Sequence, residues 1–67
     1  MLHLPERIAR KLLSMPESGM GYQVVDLVLA KGAVIEGVVV LNGEWVSGRK
    51  DVEVLDPDDI VDVRRAG

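Results

Sequence analysis

The chain has 67 residues, with 8 basic and 11 acidic side chains, a net charge of −3, no cysteine and a single histidine. This length allows one small domain, which on folding buries only about 60% of the surface that its unfolded chain exposes. The composition excludes disulfides and cysteine metal sites, so we expect the domain to gain extra stability by associating with other chains. No apolar run is long enough to span a bilayer, and the first residues lack the basic-then-apolar order of a signal peptide. We therefore expect a cytoplasmic domain.

The first segment, residues 1–16, has the pattern of one amphipathic helix. Pro5 suits the first helical position, and Pro16 ends the helix because the residue before a proline is pushed out of the α region. Four apolar residues recur at the spacing of one helical face: Leu4, Ile8, Leu12 and Met15. We predict that this face packs on the rest of the domain.

Residues 22–64 have the pattern of five short antiparallel strands. The predicted strands are 23–30, 33–41, 44–47, 51–55 and 60–63. Lys31-Gly32 joins the first two, and Asn42-Gly43 is typical of a type I′ turn, whose two central residues need positive φ. Gly48 lies in the next turn, and Asp56 precedes a single 3₁₀ turn that begins at Pro57.

The alternation of side chains divides the predicted sheet into a core face and an opposite face. The core face holds Val25, Leu27 and Leu29 on the first strand, and Ile35, Val39 and Leu41 on the second. Val52 and Val54 of the fourth strand also point inward. Gly37, in the middle of the second strand, indicates a sharp bend. The opposite face carries more valine than a solvated surface needs, and it is our candidate assembly surface: Val24, Val28, Val34, Val38 and Val40.

Together these elements predict a mainly β fold, in which an N-terminal helix is followed by a five-stranded, strongly bent antiparallel small barrel. Closure into a barrel is favoured because it removes exposed strand edges.

A short run at the start of the barrel resembles the first motif of the Sm-like family. The run is Val25-x-Leu27-x-Leu29-x-x-Gly32-x-x-Ile35-x-Gly37. The resemblance implies the Sm-like, SH3-type barrel and ring-type assembly of copies through their strands. RNA-binding members follow this motif with an Asp and an Asn in the next loop, where this chain has Asn42-Gly43-Glu44-Trp45. The second family motif, with its Arg-Gly or Lys-Gly, is replaced by acidic residues after Leu55. An RNA site is therefore not carried over.

The residues favour a non-catalytic module over an enzyme. A nucleophile, a base and an orienting group are not brought together by any spacing, and no metal or cofactor pattern is present. Trp45 either plugs the barrel end, which we favour, or stands at an interface. Our first hypothesis is self-assembly or protein binding; the alternative is weak RNA binding by five basic residues: Arg7, Arg10, Lys11, Arg49 and Lys50.

Overall fold

The computed structural model describes residues 2–16, 19–46 and 49–66. These residues form a mainly β fold, in which five antiparallel strands make one strongly curled half-barrel, consistent with a small barrel, and a helix lies near the N-terminus. The predicted fold class is confirmed. The predicted connector at Glu17 and Ser18, the strand end at Ser47 and the turn residue Gly48 lie outside the described residues, as do Met1 and Gly67.

The elements follow one another in a simple order along the chain. They are β1 (Leu2–His3), α1 (Glu6–Leu13), β2 (Tyr22–Leu29), β3 (Val34–Leu41), β4 (Trp45–Val46), α2 (Lys50–Glu53), a 3₁₀ helix (Pro57–Asp59) and β5 (Ile60–Arg65). In the sheet the strands lie in the order β1-β4-β3-β2-β5. The two edge strands are therefore β1 and β5. Helix α1 leaves β1 at one edge and contacts β5 at the other.

One predicted strand is wrong, and one strand of the sheet was not predicted. The segment 51–55 is not a strand: residues Lys50–Glu53 form α2, with Val52 buried but Val54 83% exposed. The edge next to β4 is instead taken by β1, where Leu2 pairs with Val46 and His3 with Trp45. Because β4 has β3 on one side and β1 on the other, it offers no free edge with which 51–55 could pair.

The turns and short caps follow the predicted local chemistry. Asn42 and Gly43 both have positive φ, 53° and 72°, as a type I′ turn requires. The carboxylate of Asp56 accepts a hydrogen bond from the Asp58 N–H at 3.0 Å and caps the 3₁₀ helix. β5 begins at Ile60 as expected but continues to Arg65, two residues beyond the predicted end.

The core lies on the concave side of the sheet and is closed by both helices. Its buried members are Leu4, Ile8, Leu12, Val25, Leu27, Leu29, Val38, Val40, Val46, Val52, Ile60 and Val63. The predicted core face of the first strand and the helix stripe are confirmed, with Met15 only partly buried at the end of the stripe. The helix itself is shorter than 1–16, because Pro5 is its N-cap and Leu13 is its last residue.

A bulge in β3 reverses the two faces of that strand. Val25 pairs with Val38 and Leu27 pairs with Ile35, so two residues, Glu36 and Gly37, stand opposite one residue of β2. Gly37 has a φ of 68°, which residues with a Cβ rarely adopt. Because the extra residue shifts the alternation by one position, the β3 residues after the bulge that point into the core are the even-numbered ones.

Side chains hold the bulge from two directions. The Gly37 N–H donates to Asp26 Oδ1 at 3.1 Å. From the other side, Arg49 Nη1 donates to the carbonyl oxygens of Glu36 and Gly37 at 2.9 and 3.4 Å. Arg49 is itself fixed by Asp51, whose two carboxylate oxygens accept from Nε and Nη2 at 3.1 and 2.8 Å. The backbone groups that the bulge leaves outside the ladder are thus satisfied.

Helix α1 is fixed to the sheet at both of its ends. At its C-terminal end, the buried Gln23 side chain donates through Nε2 to the carbonyl oxygens of Leu12 and Met15 at 3.0 and 3.3 Å. At its N-terminal end, Arg7 donates to the carbonyl oxygens of Ile60 and Val61 in β5. The helix is therefore held against β2 and β5, two neighbouring strands of the sheet.

Candidate functional site

The convex face of the sheet, which we call the outer face, carries an apolar row across four strands. His3 pairs with Trp45, Trp45 pairs with Leu41, and Leu41 pairs with Tyr22. Register partners share one face of an antiparallel sheet, so these four side chains are neighbours. The rings of His3 and Trp45 meet edge to face, with centroids 4.5 Å apart. Trp45 is 37% exposed, so the prediction that it plugs the barrel end is wrong.

Valines continue the outer face towards the other end of the sheet. Val24 pairs with Val39, and Val28 pairs with Val34. Between these two pairs lies Asp26, whose carboxylate is turned to the bulge by its hydrogen bond to Gly37 N–H. The apolar members of the outer face are Tyr22, Val24, Val28, Val34, Val39, Leu41 and Trp45, each half-buried or exposed.

The five residues of the predicted assembly surface do not all share one face. Val24, Val28 and Val34 lie on the outer face, but Val38 and Val40 are completely buried in the core. The reason is the bulge at Gly37, beyond which Val39 and Leu41, rather than Val38 and Val40, face outward. The sequence showed a bend here but not its effect on the alternation of the faces. Val39 and Leu41 were consequently missed as surface residues, and Tyr22 was missed because the predicted strand began one residue later.

The outer face has no covering helix among the described residues. Both helices turn their buried side chains, Ile8 and Leu12 of α1 and Val52 of α2, into the core on the concave side. Tyr22 and Val34 remain 39% and 38% exposed at opposite ends of β2 and β3. A surface of this composition, aromatic at one end and rich in valine at the other, is typical of a protein-binding surface.

An open groove of about 540 Å³ borders the outer face next to Tyr22. It lies between the end of α1 and the two turns that flank it, and its walls include Leu13, Met15 and Asn42. Leu13 is 80% exposed on its rim. The groove therefore adjoins the outer face at Tyr22 and has a mixed polar and apolar lining.

The five basic residues proposed for RNA do not form a free cationic surface. Arg10 pairs with Glu6 at 2.6 Å, and Arg7 is held by β5 carbonyls. Lys11 pairs with Asp62, while Arg49 is occupied by Asp51 and the bulge. Of the five, Lys50 alone has no such contact in the described structure. Four of the five cations therefore make contacts within the chain.

Among residues 2–16, 19–46 and 49–66, no group of three or more His, Asp or Glu side chains is arranged to hold a metal ion. The single histidine, His3, has one acidic neighbour, with Nε2 3.8 Å from Glu44 Oε1. No helix in this part of the chain has the length and apolar character needed to cross a bilayer.

No protein-family model, curated protein or solved structure matches this chain. The resemblance of Val25–Gly37 to the first Sm motif therefore stays a prediction.

The ion pair between α1 and β5 gives a testable pH dependence. Lys11 donates to Asp62 and lowers the pKa of that carboxyl, and the Val63 N–H lowers it further. A carboxyl whose pKa is lowered by folding stabilises the fold above its unfolded pKa of about 3.9, and this stabilisation is lost as the pH falls through the folded pKa. We expect the melting temperature to be constant between about pH 5 and 7 and to fall below about pH 4.

The matched variant for this pH dependence is Lys11→Met, which keeps the length of the side chain and removes its charge. It should melt at a lower temperature at pH 7 and show a smaller fall in acid than the unchanged protein. Parallel melting curves for the two proteins from pH 7 to 3 would contradict the assigned role of this pair. The pKa of Asp51 is also lowered, by its hydrogen bond from the Arg49 guanidinium, so this carboxyl too stabilises the fold less in acid. The Arg49–Asp51 pair is unchanged in both proteins and does not affect the comparison.

Proposed function

We propose that the protein is a non-catalytic small-barrel module that binds a second copy of itself through the outer face. The observation that carries the proposal is the apolar face that extends from Trp45 and Tyr22 to Val34 on the side of the sheet away from both helices. Burying such a face removes apolar area from water at about 25 cal/mol per Å².

A second copy is the partner that fits this face best. The part of the face that β2, β3 and β4 form is mostly apolar, and its acid Asp26 already accepts a hydrogen bond from Gly37. On β5 the face adds one acid and one base, Asp62 opposite Val28 and Arg64 opposite Asp26. A two-fold arrangement brings the same patch of both copies together, which suits a surface that needs no opposite charge on its partner. A 67-residue chain without cysteine also lacks the disulfides that often stabilise domains of this size. The Sm-like resemblance, which implies assembly of copies, points the same way, and the composition supports a cytoplasmic setting.

The test is the mass of the protein in solution for a pair of Val→Lys variants. Val39→Lys places an ammonium group at the centre of the outer face, and Val54→Lys places it at an exposed position next to α2. Light scattering coupled to gel filtration at tens of micromolar should give single-chain mass for Val39→Lys and the larger mass of the unchanged protein for Val54→Lys. Equal masses for both variants would contradict the outer face as the contact surface.

A fold control keeps this comparison decisive. Far-ultraviolet circular dichroism should give the same spectrum for both variants. If Val39→Lys fails to fold, Val34→Lys provides the same charge at a more exposed position of the same face, where Val34 is 38% exposed.

RNA binding through the basic residues is the weaker proposal, since Arg7, Lys11 and Arg49 already have partners within the chain. We expect short RNA to bind no more tightly than the non-specific range of roughly 10⁻⁴–10⁻⁶ M at physiological salt. Fluorescence anisotropy on the same samples measures this. Sub-micromolar binding to a defined sequence would favour RNA over self-assembly.

A further inference from the structure

The free edge of β5 presents backbone groups in an order that the ladder with β2 determines. The Ala66 N–H donates to the Val24 carbonyl at 3.3 Å, so these two residues form a hydrogen-bonded pair. Hydrogen-bonded and non-hydrogen-bonded pairs alternate along an antiparallel ladder. Arg65, opposite Val25, and Val63, opposite Leu27, therefore turn their N–H and C=O groups away from β2. These are the groups with which a further strand would pair.

Side chains of α1 and of β5 itself occupy the first part of this edge. Arg7 donates to the carbonyl oxygens of Ile60 and Val61 at 2.8 and 3.1 Å. Asp62 Oδ1 accepts the Val63 N–H at 2.8 Å and also accepts from Lys11. Both consecutive carbonyls are available to Arg7 because the register with β2 shifts at Val61. The edge is closed by contacts that involve two basic residues of one helix face.

We propose that the free edge of β5 is a docking edge for β5 of a second copy of this chain, and that Arg7 and Lys11 of α1 keep it closed. The docking edge adjoins the outer face but pairs through the outward backbone groups of β5, and the proposal does not rest on the proposed function. Release of α1 from β5 exposes the edge, and strand pairing between the two copies replaces the contacts of the helix.

The charges of Asp62 and Arg64 favour β5 of a second copy as the partner strand, and they favour one register of the pair. In an antiparallel pair related by a two-fold axis at Val63, Asp62 of each copy lies opposite Arg64 of the other. Val61 then faces Arg65 of the second copy, so the outward backbone groups are also matched. Shifting the axis to Asp62 or to Arg64 sets like charges directly opposite each other, which is unfavourable. The sequence Asp62-Val63-Arg64 is thus complementary to itself in an antiparallel pair.

In the closed state α1 contacts the edge of β5, and in the open state a second copy pairs with that edge. Both states use the Asp62 carboxylate and the Val61 carbonyl oxygen, so they exclude each other. Lys11 and Arg64 of the second copy compete for the carboxylate of Asp62. Arg7 and a backbone N–H of the second copy compete for the carbonyl oxygen of Val61. Because α1 belongs to the same chain, its side chains act at a high effective concentration and keep the edge closed in the unmodified protein.

The experiment measures mass by light scattering in the Val39→Lys background, so that the outer face does not contribute. Adding Arg7→Ala and Lys11→Ala should open the edge and double the mass from one chain to two. Adding Arg64→Asp to this open variant sets Asp62 opposite an acid and should return the mass to one chain. An open variant that is folded but stays at single-chain mass would overturn the proposal, as would a two-chain mass that Arg64→Asp leaves unchanged.

A charge swap made in the Val39→Lys and Arg7→Ala background, so that neither the outer face nor Arg7 contributes, gives a second test if the open variant does not fold. Asp62→Arg breaks the contact with Lys11 and faces Arg64 of the second copy, so it should stay at single-chain mass. Asp62→Arg combined with Arg64→Asp breaks the same contact but restores the pair between copies with reversed polarity, and it should reach two chains. Equal masses for these two variants would contradict the proposed register. Neither result depends on whether the unchanged protein assembles through its outer face.

Discussion

Replacing Val38 with Lys is expected to unfold the protein. The Val38 side chain is completely buried in the core, and the described core offers an ammonium group no acidic partner, since its members are all apolar. An uncompensated buried charge destabilises a fold by about 3–5 kcal/mol. Small domains have total stabilities near the lower end of about 5–15 kcal/mol, so this loss should remove most of the folded population.

Val39→Lys is the matched control for this prediction. The two positions are adjacent in β3, but Val39 is half-buried on the outer face. The Val39→Lys protein should stay folded, with a urea midpoint close to that of the unchanged chain. Circular dichroism in a urea titration distinguishes the two variants. A folded Val38→Lys beside an unfolded Val39→Lys would show that β3 has the opposite face inward and that the bulge is misplaced.

Replacing Gly37 with Val should cost about 1–3 kcal/mol, the usual range for a residue held in a sparsely populated backbone conformation. The φ of 68° is unfavourable for any residue with a Cβ and most of all for a β-branched one. A Cβ added to Gly37 would meet no other atom within 4 Å. The Cβ itself therefore adds no clash, and the loss of stability reports mainly the backbone conformation.

Gly37→Asn separates this effect from a general intolerance of side chains. Asparagine adopts positive φ more readily than other residues with a Cβ, so it should lose clearly less stability than Gly37→Val. Both are measured as free energies of unfolding in urea. If the two variants are equally stable, the conformation at Gly37 is not what the bulge requires.

Local chemistry was sufficient to predict the centre of the fold. β2 and β3 are long, rich in β-branched residues and bounded by glycine turns, so their pattern gave both strands and the turn at Asn42-Gly43. The helix stripe was equally clear, because Leu4, Ile8 and Leu12 repeat at helical spacing and are all buried. These elements depend on residues close together in the sequence.

What could not be predicted depends on contacts between distant parts of the chain. β1 has only two residues, Leu2 and His3, which is too short for any alternation to be visible. The segment after Arg49 does alternate acids with valines, but the edge that it would need is already taken by β1. Two valines are too few to distinguish a strand from a helical turn when no partner strand is available.

The outer face shows how one residue changes a candidate site. Strict alternation along β3 assigns Val38 and Val40 to the surface, whereas the extra residue at Gly37 moves them into the core. The sequence did mark Gly37 as a bend, since glycine is unusual in the middle of a strand. A bend without an extra residue would have kept the faces as predicted. A mid-strand glycine is compatible with both a simple bend and a bulge, and only the pairing with β2 distinguishes them.

The measurement that tests the central claim most directly is the mass of the unchanged chain in solution over a range of concentrations. If the outer face binds a second copy, light scattering should show a mass above that of one chain at tens of micromolar, decreasing towards one chain on dilution. The exposure of Trp45 should fall in parallel, which quenching of its fluorescence by acrylamide reports. A single-chain mass at every concentration, with Trp45 equally accessible throughout, would contradict self-assembly through this face.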